Sequence, residues 1–310
     1  MLNRVYKVVA IPSIFLGALL GLLAACGDKE KVSQSGVEET LTSGNLTLLT
    51  DNTAQPIVED VLAVFHSVYP RAAITQVNKT ENEIVQALLL DSNAVAVLPR
   101  LLTPEEEEHF SRRKITPRIT HFASDALALI GNRSSDTLVD LDELLKVIRG
   151  EASSKIKTVV FDNPNSSTAQ HLFRLAGVNA PPKSGVYAVK TIQEVFKYVQ
   201  AHPGTIGVVG VNWLFQPPQS LKQDVENVAV LSVKSVKGVQ PDKYFKPTQS
   251  TIATGDYPLT RKLYLLNYQG SHGLGMGFAT YLSARDGQRI ILKSGLLPAE
   301  IPTREINVPE

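Results

Sequence analysis

The stretch Leu46–Val68, LTLLTDNTAQPIVEDVLAVFHSV, shows the pattern that the rest of the chain repeats. Its first four residues, Leu46–Leu49, form a short apolar run that predicts a strand. Five apolar residues then follow at helical spacing, namely Ile57, Val61, Val64, Phe65 and Val68. A strand is therefore followed by a helix across one short polar turn, which is the unit from which α/β domains are built.

Beyond this stretch, strand-like runs alternate with helical patterns. The strand-like runs are Ala72–Val77, Ala94–Leu98, Ala126–Ile130, Thr158–Phe161, Ile206–Val209 and Lys262–Leu266. The helical patterns are Ile84–Leu90, Leu138–Ile148, Thr168–Leu175, Ile192–Ala201 and Gly277–Leu292, the last as one or two helices. Such alternation predicts an α/β fold whose sheets are mostly parallel.

The composition is that of a globular protein with little net charge. Of the 310 residues, 43% are hydrophobic and 20% are charged, and the net charge is +1. Without Arg4 and Lys7, which lie in the N-terminal segment, the net charge is −1. We expect no nucleic-acid partner, because nucleic-acid binding needs a basic stripe. A bound anion would have to be held by local geometry rather than by the overall field.

The N-terminal segment has the layout of a secretory signal peptide, which we assign to residues 1–25. Arg4 and Lys7 precede an apolar run, Val8–Leu23, and small residues follow it. Cys26, the only cysteine, comes directly after Ala24-Ala25 and resembles the lipobox cysteine of bacterial lipoproteins. That resemblance implies a lipid on the Cys26 thiol and a flexible tether over residues 26–43. The alternative is an ordinary signal peptide that ends near a cysteine.

Three turns that follow predicted strands share one chemistry. They are Asn52–Gln55, Thr80–Glu83 and Asn165–Thr168, and each offers a hydroxyl or an amide at a helix start. In each turn a Glu or Gln is placed to close a capping box, and for the third turn this residue is Gln170, three residues after Ser167. A helix N-terminus can hold a small anion with its unpaired N–H groups. In an open α/β sheet such turns converge at the carboxyl ends of the strands, where ligands bind. Each turn could equally be a helix cap and nothing more.

Read in order, several stretches resemble the phosphate-binding proteins of phosphate ABC transporters, which are PstS-like members of the periplasmic-binding-protein type II superfamily. The stretches are Ala123–Ile130 with Asn132, Leu141–Glu151, Asn165–Thr168, His202–Gly207, Tyr257–Arg261, Ser283 with Gly287-Gln288, and Gly295–Pro298. Their order and spacing, over roughly residues 44–302, carry the resemblance.

The resemblance implies an α/β fold of two lobes, each a mixed, mostly parallel sheet flanked by helices. Two crossover linkers, near Ala123 and Gly255, would join the lobes. Lobe one would comprise residues 44–122 and 256–302, lobe two residues 123–255, and residues 303–310 a tail. Closure of the lobes about the linkers would enclose the ligand.

The resemblance also implies a set of ligand-binding residues at the three turns. They are Thr53 and Ala54 at the first, Thr80 at the second, and Ser166, Ser167 and Thr168 at the third. The chain departs from the family twice. Pro99-Arg100 stands where the family has an aspartate, and Asp162 stands where it has an arginine. In one interpretation Arg100 supplies the cation and Asp162 the acceptor; in the other, Arg100 pairs with the Glu105–Glu108 run or with solvent.

The function implied is a lipid-anchored, monomeric binding protein that captures inorganic phosphate outside the cytoplasmic membrane and delivers it to an ABC permease. No cofactor is implied. The alternatives are a protein or sensor for another oxyanion, such as sulfate or molybdate, and an interaction lipoprotein that has lost the ligand.

An enzyme or a metal site is less well supported. The six histidines show no paired metal-ligand spacing, and His171 near Ser167 lacks the G-x-S-x-G context of a hydrolase. Gly273–Gly277 lacks the spacing of a dinucleotide-binding motif. We expect Arg261 to brace a lobe surface.

Overall fold

The computed structural model describes residues 38–91, 94–236, 240–270 and 272–302. The strands are β1 (Gly44–Asp51), β2 (Ala72–Lys79), β3 (Val95–Leu98), β4 (Arg118–Asn132), β5 (Leu138–Val139), β6 (Thr158–Phe161), β7 (Val186–Ala188), β8 (Thr205–Gly210), β9 (Val228–Val230), β10 (Ser232–Lys234), β11 (Tyr244–Phe245), β12 (Thr260–Asn267) and β13 (Leu297–Pro298). The helices are α1 (Gln55–Val68), α2 (Glu81–Leu90), α3 (Pro104–Arg112), α4 (Leu141–Ile148), α5 (Ser167–Ala176), α6 (Ile192–Ala201), α7 (Asn212–Phe215), α8 (Lys222–Glu226), α9 (Gln249–Ala253), α10 (Leu274–Ser283) and α11 (Arg285–Lys293), and a 3-10 turn spans Asn52–Ala54.

One long strand, β4, links two halves of a mixed sheet. The strand order is β2-β1-β3-β12-β4-β8-β6-β7, and β9 and β13 pair with β4 outside this path. In the first half β1 runs parallel to β2 and β3, and β12 runs antiparallel to β3 and β4. In the second half β6 runs parallel to β7 and β8. We call the half with β1, β2, β3 and β12 the first lobe, and the half with β6, β7 and β8 the second lobe.

The pairing partner of β4 changes from β12 to β8 at one point along the strand. Ala126 is the last residue of β4 that pairs with β12, and Leu127 is the first that pairs with β8. Both residues are fully buried, as is the apolar run through Ile130. The predicted strand Ala126–Ile130 is thus the inner part of a strand that extends into both halves. A fully buried apolar run is what a strand covered on both faces requires.

Helix α1 shows how the amphipathic pattern fixes the packing. Ile57, Val61 and Phe65 are fully buried, as their spacing predicts, and the Phe65 ring lies 5.3 Å from the ring of Phe278 in α10. Burial of a side chain of this size stabilises the fold by about 1.5–3 kcal/mol. Val64 and Val68, which the sequence analysis assigned to the same pattern, are exposed.

The predicted elements lie within three residues of their predicted bounds, except that β4 begins eight residues before its predicted start. The helix predicted over Leu138–Ile148 begins three residues late. Leu138–Val139 forms strand β5, which pairs with β10 in a separate three-stranded sheet. The backbone is still extended at Asp140, with ψ at 125°, and the helix starts at Leu141. An aliphatic pair next to an extended residue suits a strand as well as a helix, so periodicity alone could not place this boundary.

The predicted flexible tether reached Ser43, whereas residues 38–43 contact the domain. The Ser43 hydroxyl is buried and donates to the carbonyl oxygen of Glu38 over 2.7 Å. Leu41 lies so close to α10 that a Cβ atom at Gly277 would fall 1.7 Å from the Leu41 carbonyl oxygen. The packed part of the chain therefore starts ahead of β1, at least as early as Glu38.

The predicted signal peptide, Cys26, the first part of the tether and the tail at 303–310 lie outside the described residues. Among the described helices, none combines the length and the apolar character that crossing a membrane requires. The exact lobe bounds given above stay a prediction.

Candidate functional site

Asp51, at the end of β1, holds the first turn together. Its Oδ1 atom accepts hydrogen bonds from the Thr53 backbone N–H over 3.0 Å and from the Thr53 hydroxyl over 2.5 Å. The carboxylate thereby caps the 3-10 turn that leads into α1. Asp51 and Thr53 are both buried, so this polar turn lies inside the protein.

The third predicted turn meets the first one. Ser167, at the start of α5, donates its hydroxyl hydrogen to Asp51 Oδ1 over 2.7 Å, and its oxygen lies 3.3 Å from the Thr53 hydroxyl oxygen. Helix α5 follows β6 of the second lobe, whereas β1 belongs to the first. The structure therefore brings together Thr53 and Ser167, two of the predicted ligand-binding residues, across the contact between the lobes.

Arg261 of β12 supplies the positive charge of this cluster. Its Nη1 atom donates to Ser167 Oγ over 3.0 Å and its Nη2 atom to Thr53 Oγ1 over 3.1 Å. Nη2 also donates to Asp125 of β4, the residue opposite Arg261 in the antiparallel pairing. Arg261 is 4% exposed. The expectation that it braces a lobe surface is wrong, because it lies buried between the two lobes.

We call Asp51, Thr53, Asp125, Ser167 and Arg261 the Asp51 cluster. The hydrogen bonds of its two hydroxyls run in one direction, from Arg261 toward Asp51. The hydroxyls of Thr53 and Ser167 accept from Arg261 and donate to Asp51. Each hydroxyl has only one hydrogen to donate, and here it goes to the carboxylate. Within the described residues, Asp51 Oδ2 and Arg261 Nε are buried without a hydrogen-bond partner.

Burial governs the protonation of the acidic groups in the cluster. Burial raises the pKa of Asp51 from 3.8 to about 6, against the opposing effects of Arg261, Thr53 and Ser167. Burial also raises the pKa of Asp125, although Arg261 counteracts it. Nearby His171, in α5, has its pKa lowered to about 3 by burial and by Arg261 and Arg174, so this imidazole is neutral at physiological pH.

Thr80, at the second turn, serves as a helix cap. The Glu83 N–H donates to the Thr80 hydroxyl, and the Thr80 backbone N–H donates to the Glu83 carboxylate over 2.9 Å, which together form the capping box of α2. The Thr80 hydroxyl also donates to the Glu83 carboxylate, over 2.7 Å. This is the box that the sequence predicted. The contacts of the Thr80 side chain are thus with its own helix, and its role in ligand binding stays a prediction.

Arg100 belongs to a second ionic group. It donates from Nε to Glu81 Oε1 and from Nη1 to Glu106 Oε2, each over 2.7 Å. Burial lowers the pKa of Arg100, but its hydrogen bonds and its attraction to these carboxylates raise it more. Of the two interpretations above, the geometry agrees with pairing to the Glu105–Glu108 run. Glu81, which is not among the predicted site residues, is buried and also binds Arg174 of α5.

The other residues of the third turn organise the turn itself. Ser166 donates its hydroxyl to the carbonyl oxygen of Asn163 and caps α5 by accepting from the Ala169 N–H. Thr168 lies 2.7 Å from Ser166, hydroxyl to hydroxyl, and donates to Asp162 Oδ1 over 3.3 Å. Gln170 does not close a capping box, because its side-chain amide donates to the carbonyl oxygen of Pro164.

Asp162 and Ala54 complete the predicted set. Asp162 receives the Thr168 hydroxyl, and burial raises its pKa against the opposing hydrogen bonds from Ser166 and Thr168. Ala54 is fully buried at the end of the 3-10 turn and has only its backbone to offer a ligand. The side-chain amide of Asn212, in α7, supports the turn from the second lobe by donating to the Thr53 carbonyl oxygen over 3.4 Å.

The chain is similar in sequence to two phosphate-binding proteins. The chain is 24% identical over 299 residues to the phosphate-binding protein PstS of Bacillus subtilis (strain 168), with 92% of each chain covered. It is 25% identical over 265 residues to the phosphate-binding protein PstS of Staphylococcus haemolyticus (strain JCSC1435), covering 81% of this chain and 78% of that protein.

The fold comparison agrees. A putative phosphate ABC transporter substrate-binding protein from Clostridium perfringens, solved with bound phosphate, superposes with a TM-score of 0.65 at 15% identity, covering 83% of this chain and all of that one. The predicted two-lobed α/β fold is therefore confirmed. The family model of the PBP superfamily domain matches residues 35–285, and the chain belongs to the PBP superfamily.

Proposed function

We propose that this protein is the phosphate-binding component of an ABC-type importer. It captures inorganic phosphate between its two lobes and passes it to a permease. It acts outside the cytoplasmic membrane, to which a lipid on Cys26 anchors it, and it works as a binding protein rather than as an enzyme.

The observation that carries this proposal is the convergence of hydrogen-bond donors from both lobes. Thr53 of the first lobe, Ser167 of the second and the guanidinium of Arg261 meet within 3.3 Å of one another. Ser167 is also the first residue of α5, whose N-terminus favours a negative charge. Hydroxyls, an arginine and a helix N-terminus are donors that suit a tetrahedral oxyanion.

The relatives named above support the choice of phosphate over other oxyanions, since two curated relatives are phosphate-binding proteins. One specific observation favours the alternative, an interaction lipoprotein without a ligand. The hydroxyl hydrogens of Thr53 and Ser167 are already donated to Asp51, and Arg100 is engaged by Glu81 and Glu106.

Calorimetry tests the proposal. The full chain, purified in detergent and freed of bound anion, is titrated with phosphate and then with sulfate at pH 6. We expect saturable binding of phosphate, and we expect Ser167→Ala to weaken it at least tenfold, since a charge-assisted hydrogen bond contributes about 1.5–3 kcal/mol. Ser250→Ala, at an exposed serine in α9, is the matched control and leaves the affinity unchanged.

Binding heat from sulfate but not from phosphate would assign the site to another oxyanion. No binding heat from either anion would favour the alternative function, an interaction lipoprotein without a ligand. The anchor is tested separately by mass spectrometry of the N-terminal peptide from membranes. We expect a diacylglyceryl mass on Cys26, absent from Cys26→Ser. An unmodified Cys26 in the membrane fraction would contradict the anchor.

A further inference from the structure

We propose that Asp51 is a built-in anion that occupies the oxyanion position of the Asp51 cluster and competes with the incoming ligand for its donors. Asp51 would thereby set the affinity and the pH dependence of the site. The inference deepens the proposed function and rests on it in one respect, namely that the ligand of this cluster is an oxyanion.

The donor geometry is the first argument. One oxygen, Asp51 Oδ1, accepts three hydrogen bonds, from the Thr53 N–H, the Thr53 hydroxyl and the Ser167 hydroxyl, at 2.5–3.0 Å. A backbone N–H and two hydroxyls on one anionic oxygen are an arrangement typical of a bound oxyanion. Here the oxygen belongs to the chain itself, so an external anion can take these donors only after the carboxylate has released them.

Charge is the second argument. The cluster places two carboxylates, Asp51 and Asp125, beside one guanidinium, Arg261. Asp125 already binds Arg261 directly, and all three side chains are buried. A phosphate ion would add negative charge where two carboxylates already outnumber the cation, and like charges in a buried site repel strongly. Binding therefore requires that Asp51 moves away or takes up a proton.

The unpartnered atoms are the third argument. Asp51 Oδ2 and Arg261 Nε are buried without a hydrogen-bond partner. Because Asp51 is held through Oδ1 alone, a ligand can displace the carboxylate by breaking only the three hydrogen bonds to that atom. Arg261 Nε offers a further donor, so the cluster has unused capacity for a ligand with several acceptor oxygens.

The charged and titratable groups around Asp51 come from several elements. They are Arg261 of β12, Asp125 of β4 and Lys79 of β2, which is the register partner of Asp51. His171 of α5 lies within the electrostatic reach of Arg261. His171 is held neutral, and Asp125 is paired with Arg261. Asp51, with its pKa raised to about 6, is thus the group whose charge changes in the mildly acidic range. Protonation there removes the competing negative charge, so anion binding should tighten as the pH falls.

The test is calorimetric titration of the full chain with phosphate at pH 8 and pH 5, for the wild type, Asp51→Ala and Asp51→Asn. Phosphate itself titrates over this range, but it does so equally in every titration. The ratio of the variant's dissociation constant to that of the wild type at the same pH therefore isolates the effect of Asp51. We expect Asp51→Ala to bind phosphate at least tenfold more tightly than the wild type at pH 8. At pH 5 we expect the two affinities to agree within about threefold, because most Asp51 side chains are then protonated.

Two further proteins complete the design. Asp60→Ala removes an exposed carboxylate from α1, and we expect it to match the wild type at both pH values. Asp51→Asn keeps the shape and one acceptor but removes the charge, so it should bind phosphate more tightly than the wild type at pH 8. It also serves as the test if Asp51→Ala fails to fold by circular dichroism.

Each result decides between the two proposals. Weaker binding by the Asp51 variants would show that the carboxylate contacts the ligand as an acceptor. Binding equal to that of the wild type would show that the carboxylate does not compete with the ligand. Either result overturns the inference and leaves the proposed function, phosphate binding, in place. Binding by the variants but not by the wild type would support the inference and reject the proposed function of the natural chain. No binding by any of the proteins would reject both.

Discussion

Arg174 of the second lobe donates to Glu81 of the first lobe over 2.7 Å, and Arg100 donates to the same carboxylate oxygen over the same distance. Glu81 is almost completely buried at the start of α2, whereas Arg174 is partly exposed. One carboxylate therefore joins the two lobes and also fixes the loop after β3. Like the Asp51 cluster, this carboxylate forms a polar link between the lobes.

We expect Glu81→Gln to lower the free energy of unfolding by about 2 kcal/mol. The amide that replaces the carboxylate could still accept a hydrogen bond, but Arg174 would lose its ion pair with Glu81 and Arg100 would keep only Glu106. Breaking a pair at a largely buried carboxylate is costly. Denaturation in urea measures the change. The matched control is Glu108→Gln, which breaks the exposed Glu108–Arg112 pair and should cost less than about 0.5 kcal/mol. Similar losses for both variants would show that Glu81 holds no special position.

Asp51→Asn should stabilise the protein near neutral pH. The pKa of Asp51 is raised to about 6 in the folded state from 3.8, so the folded protein binds the proton more tightly than the unfolded chain. Ionisation of this group therefore removes stability as the pH rises from about 4, through the folded pKa, to about 7, and above pH 7 the full loss is present.

The difference in unfolding free energy between Asp51→Asn and the wild type isolates this effect from the other carboxylates. We expect that difference to grow in favour of the variant between pH 4 and pH 7, by at most about 3 kcal/mol for a shift of about two pKa units. Urea denaturation at half-unit steps of pH measures it. A difference that is constant with pH would mean that the folded and unfolded states bind this proton equally.

Arg261→Gln should be the most damaging single change in the Asp51 cluster. It leaves Asp51 and Asp125 buried without their cation, and the loss of one partner from a buried pair costs about 3–5 kcal/mol. The double variant Arg261→Gln with Asp125→Asn removes both charges and should recover part of this loss. Thermal unfolding of the four proteins at pH 7 completes the double-mutant cycle. Additive losses would contradict a direct coupling of these residues.

Arg100→Ala separates stability from ligand binding. Because Arg100 contacts Glu81 and Glu106 rather than the Asp51 cluster, we expect a phosphate affinity within twofold of the wild type. We expect the midpoint of urea denaturation to fall, since Glu81 keeps only Arg174 as a partner. Calorimetry and denaturation measure the two quantities on one preparation. A tenfold loss of affinity would place Arg100 in the ligand site after all.

The α/β class could be predicted from hydrophobic periodicity, because the strands and helices alternate and each apolar run is short and bounded. The two-lobed arrangement was implied only by the resemblance to the phosphate-binding family. The meeting of the turns at Thr53 and Ser167 could also be expected, since turns at the carboxyl ends of strands converge where ligands bind. The pairings show that β1 and β6 run in opposite directions, so their carboxyl ends point toward each other from the two lobes. Helix capping was predicted correctly at Thr80, where threonine and Glu83 have the required spacing.

The rest of the site depends on pairings that no local pattern contains. Asp51 is the last residue of a strand, and its position gave no sign that it would cap the turn and receive Ser167, 116 residues away. Arg261 meets Asp125 only through the antiparallel register of β12 and β4. Glu81 looked like an ordinary acidic residue in the first turn of a helix. In each case the decisive partner is distant in sequence and is fixed by tertiary packing.

Strand β4 also determines which contacts an opening of the lobes would disturb. Asp125 lies one residue before the point where pairing passes from β12 to β8, so the Asp125–Arg261 pair sits beside the pivot, while Ser167 lies out on the second lobe. A rotation of the second lobe about that point would displace atoms near it least. The Asp125–Arg261 ion pair would therefore stay almost unchanged, whereas the distance between Asp51 and Ser167 would increase. The cation would then stay with the first lobe throughout the cycle, and the serine hydroxyl would be the part that arrives and departs.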